Sequence, residues 1–198
     1  TMRLLCWLVF PWRVAPLQPV AGQQRRRIEV KGFEEPFYLL ESTQLVEERI
    51  GGITWPGALG LASFLATHRD KVAGSRVLEL GCGSGLVSLA AAALGAESVL
   101  ATDSDDDALE RASAAAGGRI ETARFDFFDQ SLDLPEADLV VAADCAYTWT
   151  HAEMIGRRAA EAMARGSRVV VADSQGWRWR TFLDQLPDEA NARTTTVS

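Results

Sequence analysis

Cysteine and histidine are scarce in this 198-residue chain. Cys6, Cys82 and Cys145 are scattered and odd in number, which gives neither a disulfide framework nor a Cys-x-x-Cys metal pair. His68 and His151 stand alone in sequence, so no zinc ligand set is expected and no metal site is predicted. This usage points to a reducing compartment. Long apolar runs are missing too: Leu4–Phe10 ends at Pro11, and a bilayer span needs about 20 residues. There is no internal repeat and no low-complexity tract. Basic surplus is also lacking, because the net charge is −7 and phosphate binding rests on Lys and Arg. Neither a nucleic acid nor a membrane is therefore an expected partner. An apolar content of 47% and a charged content of 24% are globular values, and the length suits a single core.

Acidic residues are absent from the first 28 positions. Arg3, Arg13, Arg25, Arg26 and Arg27 give that stretch +5, while the rest carries −12. Residues 1–31 read as a leader or poorly ordered segment, and residues 32–198 as the folded domain. An Arg-bearing, acid-free start also suits an organellar transit peptide. The lack of Ser richness and the Thr ahead of Met2 favour the plain leader. The expected location is cytoplasmic, or mitochondrial if the start is a transit peptide.

From Gly32 onward, short β-branched runs alternate with Ala/Leu-rich helical stretches. Strands are predicted at 76–80, 98–102, 120–125, 138–143, 167–172 and 192–197. Helices are predicted at 56–68, 86–94, 105–116, 152–164 and 177–186. Strands separated by helices of this length pair in parallel through right-handed crossovers. The expected fold is an α/β three-layer sandwich, Rossmann-like, with a mostly parallel sheet. Ligands in such sheets bind beyond the carboxyl ends of the strands, where the strand order reverses.

Four strand ends carry candidate chemistry. After the first lies Glu79-Leu-Gly81-Cys-Gly83-Ser-Gly85, whose glycines permit a tight turn and close backbone approach to a ligand. A dinucleotide fingerprint needs glycine at position 86, where this chain has Leu86. Asp103 ends the second strand, either as acceptor for a ribose diol or as a helix cap. Taken alone the two readings are even, and the glycine loop favours the ribose. Asp126 and Phe127 follow the third strand, where an acceptor and an apolar wall suit adenine; Phe125 and Phe128 read better as core. Asp144-Cys-Ala-Tyr147 follows the fourth and is either a carboxylate and phenol at a cleft rim or a simple capped turn.

Taken together, E-L-G-C-G-S-G, T-D, F-D-F and D-C-A-Y in this order resemble the class I S-adenosylmethionine-dependent methyltransferases. Gly51-Gly-Ile-Thr-Trp55-Pro-Gly-Ala-Leu59 and the D-x-x-Y motif resemble, within them, the methyltransferase family 16 protein-lysine methyltransferases. That group includes the electron-transfer-flavoprotein β-subunit lysine methyltransferase. The resemblance covers about residues 45–197. It implies S-adenosylmethionine as cofactor, held by Trp55, Glu79, Gly81, Gly83, Gly85, Asp103, Asp126 and Phe127. It implies that Asp144 and Tyr147 face the methyl group and an incoming lysine. The chain departs from the family pattern after Asp103, where proline and a later asparagine are missing. The last strand, the seventh, which would pair with 192–197, is also expected to be missing.

The implied reaction is methylation of a protein lysine by a monomeric enzyme with a protein partner. The alternative is a small-molecule N- or O-methyltransferase with the same cofactor site and another rim. A nicotinamide-dependent oxidoreductase is disfavoured by Leu86, and a non-catalytic cofactor-binding module is the remaining rival. Trp149 reads equally as substrate rim or packing, Trp177-Arg-Trp-Arg180 as the start of an amphipathic helix, and Cys82 and Cys145 as small space-fillers.

Overall fold

The computed structural model describes residues 22–43 and 52–187. Residues 1–21 of the expected leader and the expected strand at 192–197 lie outside them. Strand β1 (Gln23–Ile28) pairs antiparallel with β2 (Phe37–Ser42) as a separate hairpin. By sequence β1 falls in the expected leader and β2 in the expected domain, with no strand predicted at either. In β1 an exposed Gln-Gln-Arg-Arg-Arg run carries no apolar alternation, so the usual strand signal is absent.

Helix α1 (Pro56–Thr67) and the single turn α2 (Arg69–Val72) precede β3 (Arg76–Leu80). Then come α3 (Leu86–Ala93), β4 (Ser98–Asp103), α4 (Asp106–Ala116) and β5 (Glu121–Arg124). The described chain closes with β6 (Leu139–Ala143), α5 (Trp149–Ala164), β7 (Arg168–Ala172) and α6 (Trp179–Leu183). Strands β3 to β7 form one parallel sheet in the order β5-β4-β3-β6-β7. The chain moves outward from β3 to β5, then returns to the other side of β3, so the order reverses between β3 and β6.

Side-chain alternation divides the core. Val77, Val99, Leu139 and Val141 pack with Leu61 and Leu65 of α1, Leu89 of α3 and Ala112 of α4. Leu78, Leu80, Val140 and Ala142 pack on the opposite face with Ile155 and Ala159 of α5 and Phe182 of α6. Both faces of the sheet are covered, which explains why β6 reads as a continuous apolar run and β3 as one broken by Glu79. The hairpin joins the first face through Phe37 and Leu39. No helix among the described residues is long and apolar enough to cross a membrane.

Two helices differ from expectation by more than one residue, α5 at its start and α6 at both ends, since α6 stops at Leu183 rather than 186. Helix α5 starts at Trp149 rather than 152, because the Thr148 hydroxyl caps it by accepting from the His151 backbone N–H at 3.1 Å. Helix α6 starts at Trp179 rather than 177. Asp173 accepts from the backbone N–H groups of Gln175 (2.8 Å) and Gly176 (2.7 Å), holding this stretch in a turn.

Candidate functional site

A cleft opens at the carboxyl ends of β3, β4 and β6, at the point where the sheet order reverses. Of the residues named from sequence, Trp55, Glu79, Gly81, Gly83, Asp103, Asp126, Phe127, Asp144 and Tyr147 line it. Gly85 does not. It caps α3 at φ +81°, and a Cβ there would meet Ala112 Cβ of α4 at 2.9 Å, so its role is close helix packing.

The glycine loop is held from both sides. Gly81 has φ +68°, and a Cβ on it would lie 2.6 Å from Cys145 Sγ. The Gly83 N–H donates to Asp103 Oδ2 at 2.9 Å, while Asp103 Oδ1 accepts from the Asp105 N–H at 3.0 Å. Asp103 thus ties β4 to the loop, whereas the cap of α4 is Asp105, which accepts from the Asp107 N–H. Burial pushes the Asp103 carboxyl up, against the backbone donors that lower it.

Glu79 is buried beneath the loop. Its Oε2 accepts from the Ser88 N–H at 2.8 Å and from the Ser88 hydroxyl. Burial outweighs these bonds and pushes its carboxyl up to about 8. At neutral pH this burial favours the protonated carboxyl.

Asp144, which also lines the cleft, is the one described non-glycine residue with positive φ, +53°. Its Oδ2 accepts from the Gly57 N–H at 2.6 Å and its Oδ1 from the Ser174 N–H at 2.6 Å. Trp55 precedes α1 without a side-chain cap, so Asp144 serves that helix start from across the sheet. Neither the distant cap nor the strained backbone is visible from D-x-x-Y alone.

An aromatic wall closes one side. Phe127 stacks on Phe128 with centroids 5.0 Å apart, Phe128 meets His151 edge-on at 4.6 Å, and His151 lies 3.8 Å from Tyr147. Phe125 is buried as expected, whereas Phe128 lines the cleft. Burial pushes the Tyr147 phenol up and the His151 imidazole down. Outside the wall, Trp149 and Trp177 pack edge to face at 5.2 Å, both more than half exposed. Cys82 and Cys145 are buried with thiols pushed up by burial, which keeps them protonated and inert.

Sequence reasoning missed several contributors. Arg158 of α5 is buried and donates to the carbonyls of Phe127 (3.1 Å), Leu132 (2.8 Å) and Asp129, fixing the loop that carries Asp126 and Phe127. Ser84 reaches Thr54, whose hydroxyl lies 2.9 Å from its own. His151 carried one readable signal, since Thr148 as a cap turns the first turn of α5 toward the D-x-x-Y segment.

Residues 38–176 match the lysine methyltransferase family. The electron transfer flavoprotein beta subunit lysine methyltransferase of Xenopus laevis is 48% identical over 93 residues, covering 47% of this chain and 32% of that protein. The ribosomal protein L11 methyltransferase of Pseudomonas aeruginosa is 47% identical over 77 residues, covering 37% of this chain and 26% of that protein. The chain thus spans about a quarter to a third of the length of these curated relatives. The structure of SMU.776 complexed with SAH shares the fold, with a TM-score of 0.58 over 85% of this chain and 46% of that one, at 15% identity. The architecture is the three-layer class I methyltransferase sandwich.

Proposed function

The chain belongs to the lysine methyltransferase family, and on that premise we propose that it transfers a methyl group from S-adenosylmethionine to the side-chain amine of a protein lysine. One observation carries the proposal. A single cleft is lined by a glycine loop, the acids Asp103, Asp126 and Asp144, and the aromatic side chains Phe127 and Tyr147. The donor set fits a cationic adenosyl ligand. Glu79 is a buried carboxyl without a cation, Asp103 presents a carboxylate beside the loop, and Phe127 supplies an aromatic face.

In this reading Glu79, Gly81 and Gly83 hold the amino acid portion of S-adenosylmethionine, Asp103 its ribose, Asp126 and Phe127 its adenine, and Trp55 covers it from the segment before α1. When bound, the sulfonium supplies an already activated methyl group. The chain's own residues then position a nucleophile and exclude water. A free lysine has a pKa near 10.4 and lacks a lone pair when protonated, so the cleft must favour the neutral amine. Burial in the half-enclosed space beside Tyr147 and His151 disfavours the ammonium. Asp144 spends one acceptor position of each oxygen on a backbone N–H, which fixes its direction and leaves further lone pairs for the amine hydrogens. Tyr147 walls the opposite side.

The exposed Trp149–Trp177 pair beside these residues favours a polypeptide acceptor, because it offers rigid aromatic area at low entropic cost. The test is incubation with tritiated S-adenosylmethionine and cell lysate, then mass spectrometry of labelled proteins. Label on a lysine is the expected result. Label recovered only in small metabolites sinks the protein-lysine reading and supports the alternative acceptor.

A further inference from the structure

Glu41 lies on β2, outside the cleft, yet it is 95% buried, an uncommon place for a carboxylate. Its Oε1 accepts from the Thr54 N–H at 3.0 Å, and its Oε2 lies 3.4 Å from Arg26 Nε of β1. Thr54 in turn meets Ser84 of the glycine loop, hydroxyl to hydroxyl at 2.9 Å. The next residues are Trp55, which lines the cleft, and Gly57, whose N–H meets Asp144. The short stretch 54–57 therefore touches both the glycine loop and Asp144, and Glu41 is its anchor from behind. Gly52 adds a steric constraint, since a Cβ there would sit 2.9 Å from Ser42 Cβ of β2.

We propose that Glu41 is a positioning residue for cofactor binding, acting through Thr54 to set the height of the glycine loop at Ser84. The physical case is one of connected, satisfied groups. The Thr54 backbone N–H precedes a helix whose own start lacks a local cap, so without Glu41 this donor has no partner beyond water. Its hydroxyl is aimed at Ser84 only while the backbone is held. Ser84 is buried and lines the cleft, so a shift there moves the surface that meets the ligand. The hairpin thereby gains a purpose: it carries the anchor and supplies Arg26 to balance the charge.

This inference rests on the cofactor reading above, and its test separates the two. Hydrogen–deuterium exchange across residues 81–88 is measured for the ligand-free wild type, Glu41→Ala, Glu41→Gln and Thr54→Val, beside calorimetric titration with S-adenosylhomocysteine. Glu41→Ala and Thr54→Val are expected to speed exchange in that stretch. Each should weaken S-adenosylhomocysteine roughly tenfold, the effect of one lost hydrogen bond in a binding loop. Glu41→Gln, which keeps an acceptor for Thr54, should bind within about twofold of the wild type. Thr54→Val leaves the Glu41 anchor in place, so it reads the tether even where Glu41→Ala unfolds. Unchanged exchange and affinity in Thr54→Val overturn the proposal, as does a Glu41→Gln variant as weak as a folded Glu41→Ala. A wild type that fails to bind S-adenosylhomocysteine sinks the cofactor reading instead, while the exchange comparison still decides the tether.

Discussion

Glu79 poses the sharpest charge problem of any single residue. Its carboxyl is pushed up to about 8 by burial, far above the value of an exposed glutamate. The unfolded chain loses this proton near the ordinary glutamate range while the folded chain keeps it. Folding stability from this residue is therefore full at low pH and declines as pH rises toward 8. A Glu79→Gln variant is expected to show a smaller loss of melting temperature than the wild type between pH 5 and pH 8, read by thermal denaturation. Ligand binding carries the opposite sign. A cationic ligand favours the ionised form, so affinity for the sulfonium S-adenosylmethionine should rise as pH climbs toward 8, and Glu79→Gln should flatten that rise. Asp144 poses a geometric problem. A Cβ on Gly57 would lie 2.5 to 2.7 Å from its carboxylate atoms, so Gly57→Ala must push the acid away. That substitution should cost about 1–3 kcal/mol in denaturant unfolding, as overpacking does, and lower methyl transfer as well. Asp144→Ala should reduce turnover more than cofactor affinity, and it should also lower stability by about 1–2 kcal/mol, because it uncaps α1.

At the scale of elements, α5 is more than a cover for the sheet. Its first turn brings His151 to the cleft, and its middle presents Arg158 to the loop after β5. Arg158 also pairs with Glu161 at 2.6 Å. Arg158→Ala removes a donor from three carbonyls, while Glu161 keeps Arg165 at 2.7 Å and the Leu134 N–H, so a loss of about 1–3 kcal/mol in stability is expected, as for buried hydrogen bonds lost without a charge left unpaired. Cofactor affinity should fall with it, since Asp126 and Phe127 ride on that loop; titration of the folded variant checks this. The elements differ in how readable they were. Strand β3 and helix α3 stand at or within a residue of their predicted limits, since an apolar run bounded by Arg76 and the glycines leaves little choice. The hairpin was hidden because its first strand is polar on both faces, and its partner Glu41 is a buried charge that mimics a surface residue. Helix α6 was overextended because Trp177 and Arg178 look like one apolar-polar face, yet the turn at Asp173 holds them outside the helix.

The whole molecule carries a net charge of −7, a sign suited to attracting a cationic lysine side chain and its basic surroundings. The rate constant kcat/KM for a basic protein substrate should fall as ionic strength rises from about 10 mM to 150 mM, where screening shortens to about 8 Å. An unchanged rate across that range would remove long-range attraction from the account. The parallel sheet and its reversal between β3 and β6 also belong to this scale, because they place the four motif-bearing ends at one edge. Sequence alone determined the parallel α/β architecture, the order of the five sheet strands with the helices between them and, of the ten residues named for the site, the nine that line the cleft, since apolar periodicity and the residues just past each strand are local properties. Tertiary structure alone decided that Gly85 packs α3 against α4, that Asp144 caps a distant helix, and that Glu41 and Arg158 support the site. These are contacts between segments far apart in the chain, often through backbone groups that every residue shares, and no pattern of side-chain types reveals where a backbone N–H will find its acceptor.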